Sequence, residues 1–297
     1  MIPILFASLL ALGSGALATP VRRQSAVSAS QIASYTPYAY YAAAAYCPAS
    51  TFPSWSCGSQ CNANSGFQVI ASGGDGSDIQ NWFVGYDKKL DSIIVSHEGT
   101  NTSSITSILS DGEVIRSSLD STLFPGVPSG VSVHDGFADA QADTATAVLA
   151  AVKSGLSTYG TNTVAITGHS LGAAIALIDA VYLKPNLPSS TSIKMFGFGL
   201  PRVGNQDWAN YVDSTQSVTH INNKEDPVPI LPGMFLGYHH PSGEIHIQDS
   251  GEWDSCPGQD NDSDLCTTGD VPNIFDGETS DHDGPYSGVM MGHSACV

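Results

Sequence analysis

The chain has 297 residues, 41% hydrophobic and 13% charged, with 10 Lys and Arg against 28 Asp and Glu and a formal charge of −18. That much apolar content excludes a disordered polymer. So few basic residues exclude a nucleic-acid binder and electrostatic docking on anionic lipid. The length allows one large domain or two small ones.

In chain order, residues 1–18 read as a signal peptide. Ile2 to Leu12 is largely apolar and Ala16-Leu17-Ala18 is a small-x-small cleavage site. The run is shorter than the ~20 apolar residues a membrane span needs. Residues 19–23 end in Arg22-Arg23, a dibasic site that fits removal of a short propeptide. Residues 24–297 are then expected to be one domain, secreted and extracellular, with no integral membrane segment. Six cysteines remain: Cys47, Cys57, Cys61, Cys256, Cys266 and Cys296. An even number in a secreted chain implies disulfides, with 15 possible connectivities. Asn101-Thr102-Ser103 and Asn261-Asp262-Ser263 are candidate glycosylation sequons.

Ala26 to Ala45 is Ala/Tyr-rich and predicts a helix interrupted near Pro37. Phe67 to Ala71 predicts a strand. Trp82 to Tyr86 and Ser92 to Ser96, around Asp87-Lys88-Lys89, predict a hairpin. Val131 to Ala151 carries a helical period. Thr163 to Thr167 predicts a strand, and Leu171 to Leu183 a helix apolar all round and therefore buried. Ile193 to Gly197 and Val218 to Asn222 predict further strands. Strands alternating with helices from about 92 to 222 predict a mostly parallel α/β sheet flanked by helices. Ser250 to Ser280 is acidic and Gly-rich and predicts a long irregular surface loop. Its run Asp260-Asn261-Asp262-Ser263-Asp264 lacks EF-hand spacing and glycine, and reads as a solvated acidic loop. No cysteine spacing resembles a metal site either, so no metal and no cofactor are expected.

Gly168-His169-Ser170-Leu171-Gly172 is a G-x-S-x-G motif placed directly between a predicted strand and a predicted helix. Nucleophile chemistry needs that placement. A tight elbow exposes the Ser oxygen, flanking glycines avoid Cβ clashes, and the helix N-terminus favours developing negative charge. The Leu171 N–H would donate to the oxyanion. A serine nucleophile needs a base and an orienting acid, here expected in the order Ser, acid, His. Asp226, just past a predicted strand end, is the candidate acid, with Glu225 as its rival. His282 is the candidate base and His293 the runner-up.

With these motifs the sequence resembles the fungal class 3 lipases, which have the α/β-hydrolase fold. The resemblance rests on Gly99-Thr100, Val133-His134-Asp135-Gly136-Phe137, Gly168 to Gly172, Gly199 to Asn205, Asp226-Pro227-Val228-Pro229 and Phe235 to His240. It implies Ser170 as nucleophile, Asp226 as triad acid, His282 as base and Thr100 as oxyanion residue, with His169 structural. It also implies the disulfides Cys47–Cys296 and Cys57–Cys61, leaving Cys256 with Cys266. One departure is Glu98 before Gly99, where the family usually has Arg or Gln. Strand alternation is expected to turn it away from Gly99's neighbours.

Residues 101–132 are the expected lid. Ile105, Ile108 and Leu109 fall at i, i+3 and i+4, one face of a short amphipathic helix. The resemblance and this face imply a triacylglycerol lipase that meets acylglycerol, or another lipid ester, at an oil–water interface through an acyl-enzyme. The alternatives are a feruloyl or short-chain carboxylesterase, a mono- or diacylglycerol lipase, or a phospholipase with the same triad. A non-enzymatic secreted protein on a hydrolase fold is the more distant reading.

Overall fold

Runs of β-branched and apolar residues form the strands that the structure buries on both faces. The structure is a computed structural model that describes residues 24–100, 104–107 and 114–296. The expected signal peptide and propeptide, Asn101, Ile108 and Leu109 lie outside the described residues. The strands are β1 (Ser25–Ala26), β2 (Gln68–Gly73), β3 (Trp82–Asp87), β4 (Ser92–His97), β5 (Arg116–Ser118), β6 (Ser132–His134), β7 (Thr163–His169), β8 (Ser192–Phe198), β9 (Val218–Asn223), β10 (Glu244–Ile247) and β11 (Trp253–Cys256). The helices are α1 (Ala29–Ala44), α2 (Ser59–Ala63), α3 (residues 104–107), α4 (Asp135–Tyr159), α5 (Leu171–Asn186), α6 (Gln206–Thr215) and α7 (Thr267–Asp270).

Nine strands form one sheet in the order β1-β11-β10-β9-β8-β7-β4-β3-β2. The five from β4 to β10 pair in parallel, and both edges are antiparallel. The expected parallel α/β sheet is therefore its centre. All six residues of β4 are buried, as a strand covered on both faces requires. On one face lies α1, with a core that includes Phe52, Phe83 and Phe198. On the other lie α4 and α5, with a core that includes Val95, Ile166 and Leu177. Buried residues of α4 recur at Phe137, Gln141, Ala145, Val148 and Val152, the helical spacing of an amphipathic face. Every α5 residue from Gly172 to Leu183 is buried.

Register levels the strand ends that matter. His97 of β4 pairs with Gly168 of β7, and His169 pairs with Phe198 of β8. The turn after β7 thus sits between the turns after β4 and β8.

Several expectations change. Helix α1 runs through Pro37 without a break. The carbonyl that loses its i→i+4 partner belongs to Ala33, which is exposed and open to water. The segment from Val131 starts as strand β6, and its helix extends to Tyr159. The expected irregular loop 250–280 contributes β11 and α7, with Trp253 and Cys256 buried against the sheet. Asp260 is not solvated. Its side chain is 6% exposed, with Oδ1 accepting from Arg202 Nε at 2.7 Å and Oδ2 facing His239 Nδ1 at 3.1 Å. Burial alone would raise its pKa, but the Arg202 guanidinium and its hydrogen bonds hold it below the usual carboxylate range. No local sequence signal marks Arg202 as its partner, because 58 residues separate them.

Two buried polar clusters join elements distant in sequence. His97 Nε2 meets Asp179 Oδ2 at 2.7 Å, and Gln141 Nε2 donates to Asp179 Oδ1 at 2.8 Å. Both members of the pair are fully buried. They tie the end of β4 to α5 and α4. Removing one partner of such a pair leaves the other unsatisfied, at a cost of about 3–5 kcal/mol. Asp179→Ala is therefore expected to lose about that much unfolding free energy in urea titration. A loss below about 1 kcal/mol would show that the pair does not hold these elements.

His220 and His240 stack with ring centroids 4.8 Å apart. Burial, then the neighbouring histidine, lowers the His220 pKa to about 4. Burial lowers His240 to about 4, opposed by Asp260. In the unfolded chain both titrate near 6.5. Between those values the unfolded state binds more protons, so stability falls as pH drops from about 6.5 and levels off below about 4. The loss is on the order of 3 kcal/mol per histidine. Urea midpoints measured stepwise from pH 7 to pH 4 should fall accordingly; a flat series would contradict the burial argument.

Candidate active site

Ser170 is the single residue between β7 and α5. Its φ of 58° and ψ of −128° lie where a non-glycine residue is strained. The surroundings enforce that conformation. Ser170 N donates to Phe198 O of the neighbouring strand at 2.9 Å, and Ala173 N donates to Ser170 O at 3.0 Å. The chain approaches itself so closely here that only glycine fits on either side. A Cβ on Gly168 would come within 2.3 Å of Gly172 backbone, and one on Gly172 within 2.3 Å of His97 O. Leu171 is the first helical residue, and its N–H has no intrahelical acceptor.

His282 ends a short 3₁₀ turn, Thr279–Asp281. Its Nδ1 lies 2.8 Å from Asp226 Oδ2. Both side chains are fully buried. Asp226 sits three residues past β9, and its Oδ1 accepts from Val228 N at 2.9 Å. A carboxylate acts only as acceptor, so Nδ1 carries a proton, and in the neutral ring Nε2 keeps the lone pair. His282 Nε2 and Ser170 Oγ are both buried atoms with no hydrogen-bond partner. The structure thus brings Asp226 and His282 together and leaves one acceptor and one hydroxyl unused beside the elbow. Glu225, the rival acid, does not meet His282; its carbonyl instead accepts from Glu278 N.

The turn after β4, where Thr100 is the expected oxyanion residue, packs against the elbow. Gly99 packs so tightly on the elbow that a Cβ would meet His169 O at 2.5 Å and the Tyr46 hydroxyl at 2.1 Å. Thr100 follows, half-buried. Glu98, the residue after β4, has both carboxylate oxygens engaged. Its Oε2 accepts from Asn81 N at 2.8 Å, and its Oε1 lies 2.9 Å from His293 Nε2. Burial raises the Glu98 pKa, opposed by the Asn81 N–H and by His293. His293, the runner-up base, is 57% exposed and committed to Glu98.

His169 is fully buried, and its ring connects two parts of the site. Nδ1 lies 2.7 Å from the Tyr46 hydroxyl and Nε2 lies 2.8 Å from the His282 carbonyl. Tyr286 also donates to that carbonyl, at 3.0 Å. Tyr286-Ser287 stands where the resembled family has an aromatic pair after the base, and Tyr286 does pack behind His282. Sequence reasoning left Tyr46 unmarked: it follows an alanine-rich helix and has no local pattern that signals a role.

Disulfides Cys47–Cys296, Cys57–Cys61 and Cys256–Cys266 are present. The first closes 249 residues, and bridges of this kind typically stabilise by about 2–4 kcal/mol. Among the described residues, Glu244, Cys256 and Cys266 come within ligating distance of one another. Those sulfurs are bonded to each other, and Glu244 Oε1 accepts from Thr267 N at 2.8 Å. Asn261 is half-buried; its Nδ2 donates to Pro257 O at 2.9 Å. Of the expected lid face, Ile105 lies on α3 and is 1% exposed, sharing a core with Phe124, Val133 and Phe137. Among the described residues no helix is long and apolar enough to cross a membrane.

Residues 94–236 match the family model for lipase (class 3). A secreted mono- and diacylglycerol lipase of Malassezia globosa is 33% identical over 229 residues, 76% of this chain and 71% of the relative. Lipase II from Rhizopus niveus aligns with a TM-score of 0.79 at 29% identity, over 93% of this chain and all of that one. A triacylglycerol lipase whose catalytic centre is formed by a serine protease triad aligns with a TM-score of 0.77 at 30% identity, over 91% and 99% of the two chains. With the strained serine, its paired carboxylate and histidine, and these likenesses in sequence and fold, the chain belongs to the class 3 lipases.

Proposed function

We propose that this chain hydrolyses the carboxylic esters of acylglycerols through Ser170, His282 and Asp226. The observation that carries the reading is the pair of unused atoms at the elbow, Ser170 Oγ and His282 Nε2, with Asp226 fixing the far side of the imidazole. In the first half-reaction Ser170 Oγ attacks the ester carbonyl while His282 Nε2 takes its proton. The oxyanion accepts from the Leu171 N–H at the start of α5 and from Thr100 beside Gly99. Collapse expels the glyceride alkoxide, which takes the proton from His282. Water then attacks the acyl-enzyme with the same base and releases the fatty acid.

Ser170 and His282 are buried, so a lipid ester reaches them only after a cover moves. Residues 101–132 supply that cover in this reading, with Ile105 as its inner anchor. A cavity of about 450 Å³ lies between the segment after Asp226 and the segment before His282, lined by Ile230, Leu231, Met234, Leu236, Val271 and Ile274. Beside it Phe235 and Phe275 are 89% and 94% exposed. Arg202, Thr268 and Asn273 also line this cavity and none of Ser170, Asp226 and His282 does, so its apolar walls suit an acyl chain without separating it from a feruloyl ring. The Malassezia relative, a mono- and diacylglycerol lipase, favours partial glycerides as a second reading.

A fluorophosphonate probe is expected to label the chain, and Ser170→Ala to abolish labelling and turnover. Asp226→Asn should lower kcat by about 10⁴, the loss seen when a triad aspartate no longer fixes the tautomer. A panel of triolein, monoolein, phosphatidylcholine, tributyrin and methyl ferulate decides the substrate. Activity confined to methyl ferulate or tributyrin would overturn the acylglycerol reading.

A further inference from the structure

We propose that Tyr46 and His169 form a positioning relay that holds the backbone of His282, and the end of β4, in register with Ser170. The proposal rests on the triad reading above. A carbonyl only accepts, so the contact to His282 O puts the proton of His169 on Nε2. Nδ1 is then an acceptor, and the Tyr46 hydroxyl must donate to it across 2.7 Å. The Tyr46 oxygen also lies against the backbone after β4, where a Cβ on Gly99 would come within 2.1 Å of it. One directed chain therefore runs from Tyr46 through His169 to the backbone of His282, with Gly99 packed against its start.

Each link is buried and lies on a different element. Gly99 follows β4, Tyr46 follows α1, His169 ends β7, and His282 stands in the loop before the C-terminal disulfide. The contacts are close: the His169 and His282 rings are 4.4 Å apart, and a Cβ on Gly199 would come within 2.9 Å of His282 Cε1. His282 otherwise sits on an irregular segment whose backbone no strand or long helix fixes. Two donors converge on its carbonyl, His169 Nε2–H and Tyr286 O–H, and Asn223 Nδ2 holds the carbonyl of Asp281 at 2.9 Å.

His169 is also suited to stay neutral. Burial lowers its pKa well below the ordinary histidine value, and the adjacent His282 lowers it further, against the carbonyl hydrogen bond. A charged His169 would oppose the imidazolium that His282 becomes when it takes the serine proton. A neutral one supplies a fixed dipole without that penalty.

The two isosteric amides separate the links. In His169→Gln the amide nitrogen reaches where Nε2 was and keeps the donor to His282 O. In His169→Asn the amide stays near the Nδ1 position and loses that donor. Kinetics on a water-soluble nitrophenyl ester, normalised to sites titrated to completion with a fluorophosphonate, should split accordingly. His169→Asn is expected to lower kcat about 10²-fold, the cost of misplacing a catalytic group by about 1 Å, with KM within about twofold of wild type. His169→Gln should recover kcat to within about 10-fold of wild type. Tyr46→Phe, which removes one hydroxyl, should lower kcat about 10-fold with KM unchanged. Wild-type kcat per titrated site in both His169→Asn and Tyr46→Phe would overturn the relay. If His169→Asn is not secreted, wild-type kcat in Tyr46→Phe alone overturns it. The triad reading fails separately, by turnover or labelling in Ser170→Ala.

Discussion

Ser170 holds a backbone conformation that only its surroundings can enforce, and the rest of the fold is arranged around that constraint. A non-glycine residue at φ 58° costs on the order of 1–3 kcal/mol. The cost persists because β4, β7 and β8 run parallel with their ends level, so that Ser170 N finds Phe198 O and Gly172 finds His97 O. Any looser register would open the tight packing at Gly168 and Gly172, where an added Cβ would come within 2.3 Å of backbone, and let the elbow relax. The parallel centre of the sheet is therefore a condition of the chemistry as well as a way to bury Val, Ile and Phe.

The polar interior follows from the same geometry. Strand ends that carry reacting groups cannot be sealed by aliphatic side chains alone, because their backbone and imidazole groups need partners. The chain meets that need with buried units that each join elements distant in sequence. His97–Asp179–Gln141 links β4, α5 and α4, and Arg202–Asp260–His239 links the β8–α6 connection to the acidic segment. His169 links the elbow to the base loop. None of these is expected to exceed a well-packed apolar core in stability. What they add is alignment: each has directional partners, so each permits one relative placement of the elements it joins.

The part of this design that a sequence displays is the part that is local. The junction of β7, Ser170 and α5 is legible because a β-branched run, two glycines and an all-apolar helix sit side by side. Asp226 is legible because it follows a strand by three residues. The amphipathic period of α4 is equally plain. Pro37 misleads because its effect depends on whether Ala33 faces solvent, which only packing decides. Strand β11 is four residues inside an acidic, glycine-rich stretch, and it exists because β10 and β1 pair with it on either side. Asp260 looks like one acid of a surface run until Arg202 arrives from 58 residues away. Tyr46 and His169 belong to the same class, since their partnership spans 123 residues and has no period, spacing or composition to announce it.

Charge distribution around the base loop adds a last constraint. Burial, then Asp249, Asp270, Asp281 and Glu278, raises the pKa of Glu225. Lys224 is the cation placed among them, 3.8 Å from Asp249 and 3.7 Å from Asp281. Ester hydrolysis of the proposed kind turns a neutral substrate into a carboxylate within this field. The neutral ester pays no electrostatic penalty on approach, while the anionic product is repelled once formed. The formal charge of −18, which says nothing about the fold, thereby acquires a direction: it biases the proposed site toward uncharged ligands and against retention of the acid released.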